Sequence, residues 1–265
     1  MVMRIEVNGV ACMAAGRQIL APMSARFEAG RFCAILGPNG AGKSTLLGVL
    51  SAQRRPHQGD VRMNGDLLGA RPVADLARMR AVMPQETAVA FDYTVEDIVA
   101  LGRFPHRRCP AEDEAGIVRR AMAATQVTHL AGRVLNTLSG GEKARAHLAR
   151  VLAQVWEPLP DGQVRWLLLD EPTAALDLAH QHAVLQTVRD WACTQGVGVV
   201  AVLHDINLAL RYADDAVVLE AGTAVHTGAV HEVLTPNLIG RVWGIGCQAV
   251  EGQVGGTLQY VFTPH

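Results

Sequence analysis

Residues Arg31 to Leu36 are apolar after the first and run directly into Gly37-Pro-Asn-Gly-Ala-Gly-Lys43-Ser44. Lys43 to Leu50 then reads as a helix. A buried strand, a glycine turn and a helix in that order is how a parallel sheet begins, because the helix covers the sheet while the chain crosses to its next strand. The turn matches G-x-x-x-x-G-K-[ST], and its residue types have a physical reason. Glycines let the backbone curl so that successive N–H groups point inward at phosphate oxygens, and the positive end of the following helix adds its field at the same place. Lys43 is then the cation for β and γ phosphates, and Ser44 offers a hydroxyl to a bridging Mg²⁺. Gly37, Pro38, Asn39, Gly40, Ala41, Gly42, Lys43, Ser44 and Thr45 are therefore the candidate nucleotide-binding residues. The plainer reading, a glycine-rich turn with no ligand, leaves the lysine, the serine and both flanking elements unexplained.

The rest of the chain fits an α/β fold with a mainly parallel sheet. Arg4 to Val7 and Ser24 to Glu28 look like an opening antiparallel hairpin. Trp166 to Leu169 and Val197 to Leu203 are apolar strands with helix-like Gln181 to Ala192 between them, a βαβ unit whose ligand belongs at the carboxyl ends of its strands. Phe91 to Val155 has a helical texture: Thr94 and Asp97 make a capping-box start, and Ile117, Val118, Ala121 and Met122 share one face. It reads as a helical arm inserted in the core at about 91–155. Glu157 to Val164, rich in proline and glycine, is a surface loop, and Thr257 to Phe262 is a candidate edge strand. With no internal repeat, residues 1–265 are expected to form one nucleotide-binding unit.

Asp170 and Glu171 follow the Trp166 strand, where a parallel sheet presents them to whatever the glycine turn holds. An acidic residue there is common in α/β proteins, but beside a phosphate loop Asp170 suits the Mg²⁺ shell, and Glu171 suits orienting or deprotonating an attacking water. Leu138-Ser139-Gly140-Gly141-Glu142 opens another helix. Its backbone N–H groups make either a second anion site or only a helix cap behind a flexible lead.

The phosphate loop, the LSGGE pentapeptide and the run Asp170-Glu-Pro-Thr-Ala-Ala-Leu-Asp177, in that order, resemble ATP-binding cassette ATPases from about Val7 to about Leu234. The resemblance implies a P-loop nucleoside-triphosphatase core with an amino-terminal antiparallel β subdomain. It also implies ATP and Mg²⁺ as ligands. Gln85 is similar to the glutamine that meets metal and water, His204 to the histidine that contacts the γ phosphate, and Asp177 to the loop that meets a partner subunit. LSGGE of one copy would cover the nucleotide held by another, which implies a homodimer. Cys12 falls where relatives carry an aromatic ring that stacks on adenine, so base recognition is expected to be weak and Cys12→Tyr to strengthen ATP binding.

The runs Phe91-Asp-Tyr-Thr-Val-Glu-Asp, Leu101-Gly-Arg-Phe-Pro and His204-Asp-Ile-Asn-Leu-Ala-Leu-Arg-Tyr-Ala-Asp are similar to the iron-chelate, haem and cobalamin uptake group. The Trp156 to Arg165 loop and the stretch after it look most like haemin importers. The implied setting is the cytoplasmic face of a bacterial inner membrane, with two copies of a permease subunit and, indirectly, a periplasmic binding protein. Ferric siderophore or cobalamin import is the alternative. A soluble cassette protein of translation or DNA repair would carry two cassettes or a long coiled coil, and a non-hydrolysing cassette would not need Gln85, Glu171 and His204 together. Composition agrees: 49% hydrophobic and 18% charged residues suit a buried core, and a net charge of −1 gives no field to attract nucleic acid. MVMRIEVNGV does not read as a signal peptide, and five scattered cysteines without a CxxC pair argue against disulfides or zinc. The ten histidines invite a haem-ligand reading, but His180 and His182 sit on an expected helix, where a structural role is the simpler one.

Overall fold

The computed structural model describes residues 3–85, 90–251 and 258–263. In chain order the elements are β1 (Arg4–Ala14), β2 (Arg17–Glu28), β3 (Phe32–Leu36), α1 (Lys43–Leu50), β4 (Gln58–Met63), β5 (Asp66–Leu67), α2 (Val73–Met79) and β6 (Arg80–Met83). Three helices follow, α3 (Val95–Leu101), α4 (Glu114–Ala124) and α5 (Gly140–Gln154), before β7 (Trp166–Asp170), α6 (Leu178–Gln195), β8 (Gly198–Val202) and α7 (Ile206–Tyr212). The chain closes with β9 (Asp215–Glu220), β10 (Thr223–Ala229), α8 (Val230–Val233), α9 (Pro236–Trp243), β11 (Gly246–Glu251) and β12 (Leu258–Thr263).

The opening hairpin is longer than its two expected segments and joins β4 and β5 in an antiparallel sheet of order β2-β1-β4-β5. The main sheet has order β10-β9-β3-β8-β7-β6; all its pairings are parallel except β10 with β9. Its middle strands are apolar throughout because both faces are covered, and their side chains alternate between two cores. Phe32, Ala34 and Leu36 of β3, with Leu167, Leu169, Val199 and Ala201, face the core that includes the helical arm. Cys33 and Ile35, with Leu168, Val200 and Val202, face the core shared with α1 and the antiparallel sheet.

Helices α3 to α5 lie between β6 and β7 in sequence, the expected inserted arm. Thr94 and Asp97 form the reciprocal capping box, and Ile117, Val118, Ala121 and Met122 are all buried. Arg103, 7% exposed, locks the arm to the loop after α5: it donates to both carboxylate oxygens of Glu114 at 2.6 and 3.0 Å, to Glu157 at 3.0 Å and to the Ala153 carbonyl at 2.8 Å. That loop has no regular structure over Glu157 to Val164, as expected. Trp156 anchors its start edge-on against Trp191, with ring centroids 4.8 Å apart, and Arg165 anchors its end on the Val155 and Trp156 carbonyls. The edge strand expected at Thr257 to Phe262 is β12, paired with β11 alone; Thr257 lies outside the described residues. All five cysteines are unpaired.

One buried base in the arm makes the fold sensitive to acid. His147 on α5 is 4% exposed, and neither ring nitrogen has a partner among the described residues. Burial, helped by the charge of Arg150, lowers its pKa from 6.5 to about 4. The folded chain therefore holds the imidazole neutral while the unfolded chain protonates it. Stability is lost as pH falls below about 6.5, and the loss is complete near pH 4. At 1.36 kcal/mol per unit this comes to about 3 kcal/mol. His147→Leu should flatten the fall in urea-unfolding free energy over that window by up to this amount. An unchanged slope would place the acid sensitivity elsewhere.

Candidate active site

The site is built from the level ends of three neighbouring strands. Ile35 of β3 pairs with Val202 of β8, and Val202 pairs with Asp170 of β7, so Gly37, Glu171 and His204 all emerge at one edge of the sheet. Between Leu36 and α1 the chain wraps as the glycine pattern requires. Gly37 has φ 145°, and a Cβ there would stand 2.1 Å from the Leu219 carbonyl; Gly42 has φ 98°, and its Cβ would meet Leu20 at 2.7 Å. No L side chain fits either position without moving its neighbours. Ala41 is buried, and the Lys43 ammonium donates to the Gly37 and Pro38 carbonyls at 2.8 and 3.0 Å. Burial lowers the Lys43 pKa, partly offset by Glu171 and Asp170.

A cleft of about 580 Å³ opens over this loop, lined by Ile19, Asn39, Gly40, Gly42, Lys43, Ser44, Thr45, Gln85, Glu171 and His204. The Ser44 hydroxyl donates to Asp170 at 3.2 Å. Burial raises the Asp170 carboxyl pKa; the Ser44 hydrogen bond opposes it and the neighbouring Glu171 charge adds to it. Glu171 is held at both carboxylate oxygens: Gln85 Nε2 donates to Oε2 at 2.9 Å, and His204 Nε2 lies 2.6 Å from Oε1. Its backbone has φ 52°, a left-handed conformation that costs a non-glycine residue roughly 1–3 kcal/mol. The side-chain clamp and the strained backbone together leave the carboxylate one pose beside the glycine loop. A larger hollow of about 800 Å³ between α2 and the 157–161 loop is lined by ion-paired side chains and prolines and is separate from this chemistry.

Leu138 to Glu142 do not line the cleft. Ser139 caps α5 and shares a capping box with Glu142, and Gly140 and Gly141 lie against Ala175 and Leu176, within 3.5 and 3.3 Å of where their Cβ atoms would be. Asp177 caps α6 by accepting from the His180 amide at 2.9 Å, and its side chain also meets the His180 ring. Leu178 beside it is 75% exposed. His182 pairs with the Tyr212 hydroxyl at 2.7 Å, so both histidines have structural partners.

The expectation for Cys12 needs correction. Its side chain is 1% exposed, packed with Leu20, Ala41 and Leu46 in the core beneath the phosphate loop, and burial raises its thiol pKa. It does not face a base. The apolar side chain that the hairpin does send into the cleft is Ile19, which sequence reasoning missed. The signal was the alternation of β2: with Leu20 inward, its neighbour must face the other way.

A glycine loop with a buried lysine between parallel-strand ends, facing a hydroxyl–carboxylate pair and a clamped glutamate, defines a P-loop nucleotide hydrolase. The family model described as ABC transporter matches residues 20–174. The hemin import ATP-binding protein HmuV of Gloeobacter violaceus is 47% identical over 91% of this chain and 87% of its own length, and that of Myxococcus xanthus is 44% identical over 94% and 93%. Among solved structures, an inward-facing ABC transporter of the metal-chelate type superposes with a TM-score of 0.82 at 27% identity, covering 99% of this chain and 98% of that one. A dimeric ATP-binding cassette bound to ADP and Pi superposes with a TM-score of 0.74 at 24% identity, covering 85% and 98%, a likeness of fold. The chain belongs to the ABC transporter family, as an ATP-hydrolysing nucleotide-binding subunit.

The burial of Cys12 reverses what a tyrosine there should do. Cys12→Tyr should lower stability by about 1–3 kcal/mol through overpacking and leave ATP affinity no tighter. Chemical denaturation and nucleotide titration read the two effects separately; tighter ATP binding with unchanged stability would show that position 12 reaches the base after all.

Proposed function

We propose that this chain energises haem import across a bacterial inner membrane, as a homodimer on the cytoplasmic face beneath two permease subunits fed by a periplasmic binding protein. The hydrolytic part of the reading rests on one observation, the Glu171 carboxylate gripped by Gln85 and His204 at the mouth of the phosphate loop. The cargo rests on the hemin import relatives, alike over nearly the whole length of both chains. The likeness to a transporter of the metal-chelate type supports a second reading, import of another iron chelate such as a ferric siderophore.

Backbone N–H groups of residues 37–45 and the Lys43 ammonium bind the triphosphate. Ser44 and Asp170 bring two hard oxygen donors to one point, the donor type Mg²⁺ takes while keeping its remaining positions for phosphate and water. Bound there, the cation would neutralise charge on the β and γ phosphates. Glu171 orients the attacking water and takes its proton; His204 and Gln85 keep the carboxylate aimed. Gln85 also stands next to the stretch that leads into the helical arm, a position from which nucleotide state can reach a permease. The signature residues 138–142, turned away from their own cleft, complete the site of a second copy, with Asp177 on the same seam. ATP favours the closed pair and hydrolysis releases it.

Glu171→Gln keeps the shape and loses the base, so it should bind ATP, stall and accumulate as a closed dimer in size exclusion with MgATP. A monomer turning over at the wild-type rate would refute the role given to Glu171. For the cargo, the chain reconstituted with its membrane partner should show ATPase stimulation by a haem-loaded binding protein. Stimulation only by siderophore- or cobalamin-loaded proteins would reassign it.

A further inference from the structure

His204 is 45% exposed on its side chain and meets Glu171 without a wall of neighbours to hold it, so its pose depends on the backbone either side. Upstream that backbone is tied to the sheet: the Leu203 amide donates to the Ile35 carbonyl at 3.1 Å, and Leu203 is buried. Downstream, Asp205 caps α7 by accepting from the Leu208 amide at 3.0 Å. The side chain of the next polar residue, Asn207 in the first turn of α7, reaches away from the helix. Its Nδ2 donates to the Tyr260 carbonyl at 3.0 Å, and its Oδ1 accepts from the Tyr260 amide at 2.7 Å. One side-chain amide thus satisfies both backbone groups of a residue 53 positions away, as a neighbouring strand would.

Tyr260 is a firm anchor. It is 4% exposed, its ring lies in the main core, and its hydroxyl donates to the Leu234 carbonyl at 2.5 Å. The hairpin that carries it has only two strands, which alone would be marginal in water. Its inward side packs through Leu258 and Cys247, while Val250 and Val261 remain exposed. The hairpin is therefore held by docking, and Asn207 is the polar link in that docking that leads back to α7, beside the Tyr260 hydroxyl on the Leu234 carbonyl.

We propose that Asn207 is a positioning residue for ATP hydrolysis: by pairing with Tyr260 it fixes the first turn of α7 and so the reach of His204 to Glu171, making the carboxyl-terminal hairpin part of the hydrolytic apparatus. The inference rests on the role given to His204 above. It uses no nucleotide contact of Asn207 itself, so its signature is kinetic. ATP affinity depends on the phosphate loop and should not move, whereas the hydrolytic step should slow.

The test is single-turnover ATP hydrolysis and nucleotide binding by the full chain, for wild type, Asn207→Leu, His204→Ala and the double variant. Asn207→Leu keeps the branched outline and removes both hydrogen bonds. It should slow hydrolysis about tenfold with ATP affinity within about twofold, and the slowing should vanish in the His204→Ala background, because groups acting through one another are not additive. Asn207→Asp keeps the acceptor for the Tyr260 amide and should lie between wild type and Asn207→Leu; it carries the comparison if the leucine variant does not fold. A wild-type hydrolysis rate in a folded Asn207→Leu, a loss confined to ATP affinity, or an undiminished effect in the His204→Ala background would overturn the proposal. Wild-type hydrolysis by His204→Ala would instead remove the role of His204, and the proposal with it.

Discussion

The arrangement depends on one carboxylate held from both sides. Glu171 follows β7, His204 follows β8 and Gln85 follows β6, so three successive strand ends contribute one side chain each to a single contact. The register that levels these ends comes from apolar strands buried on both faces, where a slip by one residue would send every side chain into the wrong core. The precision of the site is thus inherited from sheet packing, and the left-handed backbone at Glu171 is the local strain that this packing sustains.

Much of this is legible in the sequence. The β3–glycine turn–α1 unit could be read to the residue at the helix start, since its residue types have few alternative uses. The Thr94 capping box and the apolar face of α4 stood out for the same reason. Partial burial hides two strands from a sequence reading, since β4 opens on Gln-Gly-Asp and β10 is an exposed edge of small and polar residues; β9 is not read from the sequence either, although Ala216 to Leu219 are buried. The carboxyl-terminal hairpin was only half visible, because Val250 and Val261 face outward and blur the alternation.

The errors at the base end of the cleft are of another kind. Cys12 falls at the usual aromatic position by its spacing from the glycine loop, but β1 carries register shifts between Val7 and Val10, Val10 and Cys12, and Cys12 and Met13. Bulges of this sort change which face a residue occupies, and nothing in composition announces them. Spacing alone therefore points to a core position, Cys12, while the residue that lines the cleft is Ile19 on β2.

The contact of Gly140 and Gly141 with Ala175 and Leu176 has a mechanical consequence. The first pair opens a helix of the inserted arm; the second belongs to the turn before α6, on the sheet. The two segments touch across the joint between arm and core, so the arm cannot rotate as a free lever. Any swing must shear this contact or carry residues 173–177 along. A turn of the arm would therefore be passed through this joint, as through a gear, to the side of the molecule where Asp177 and the exposed Leu178 face outward.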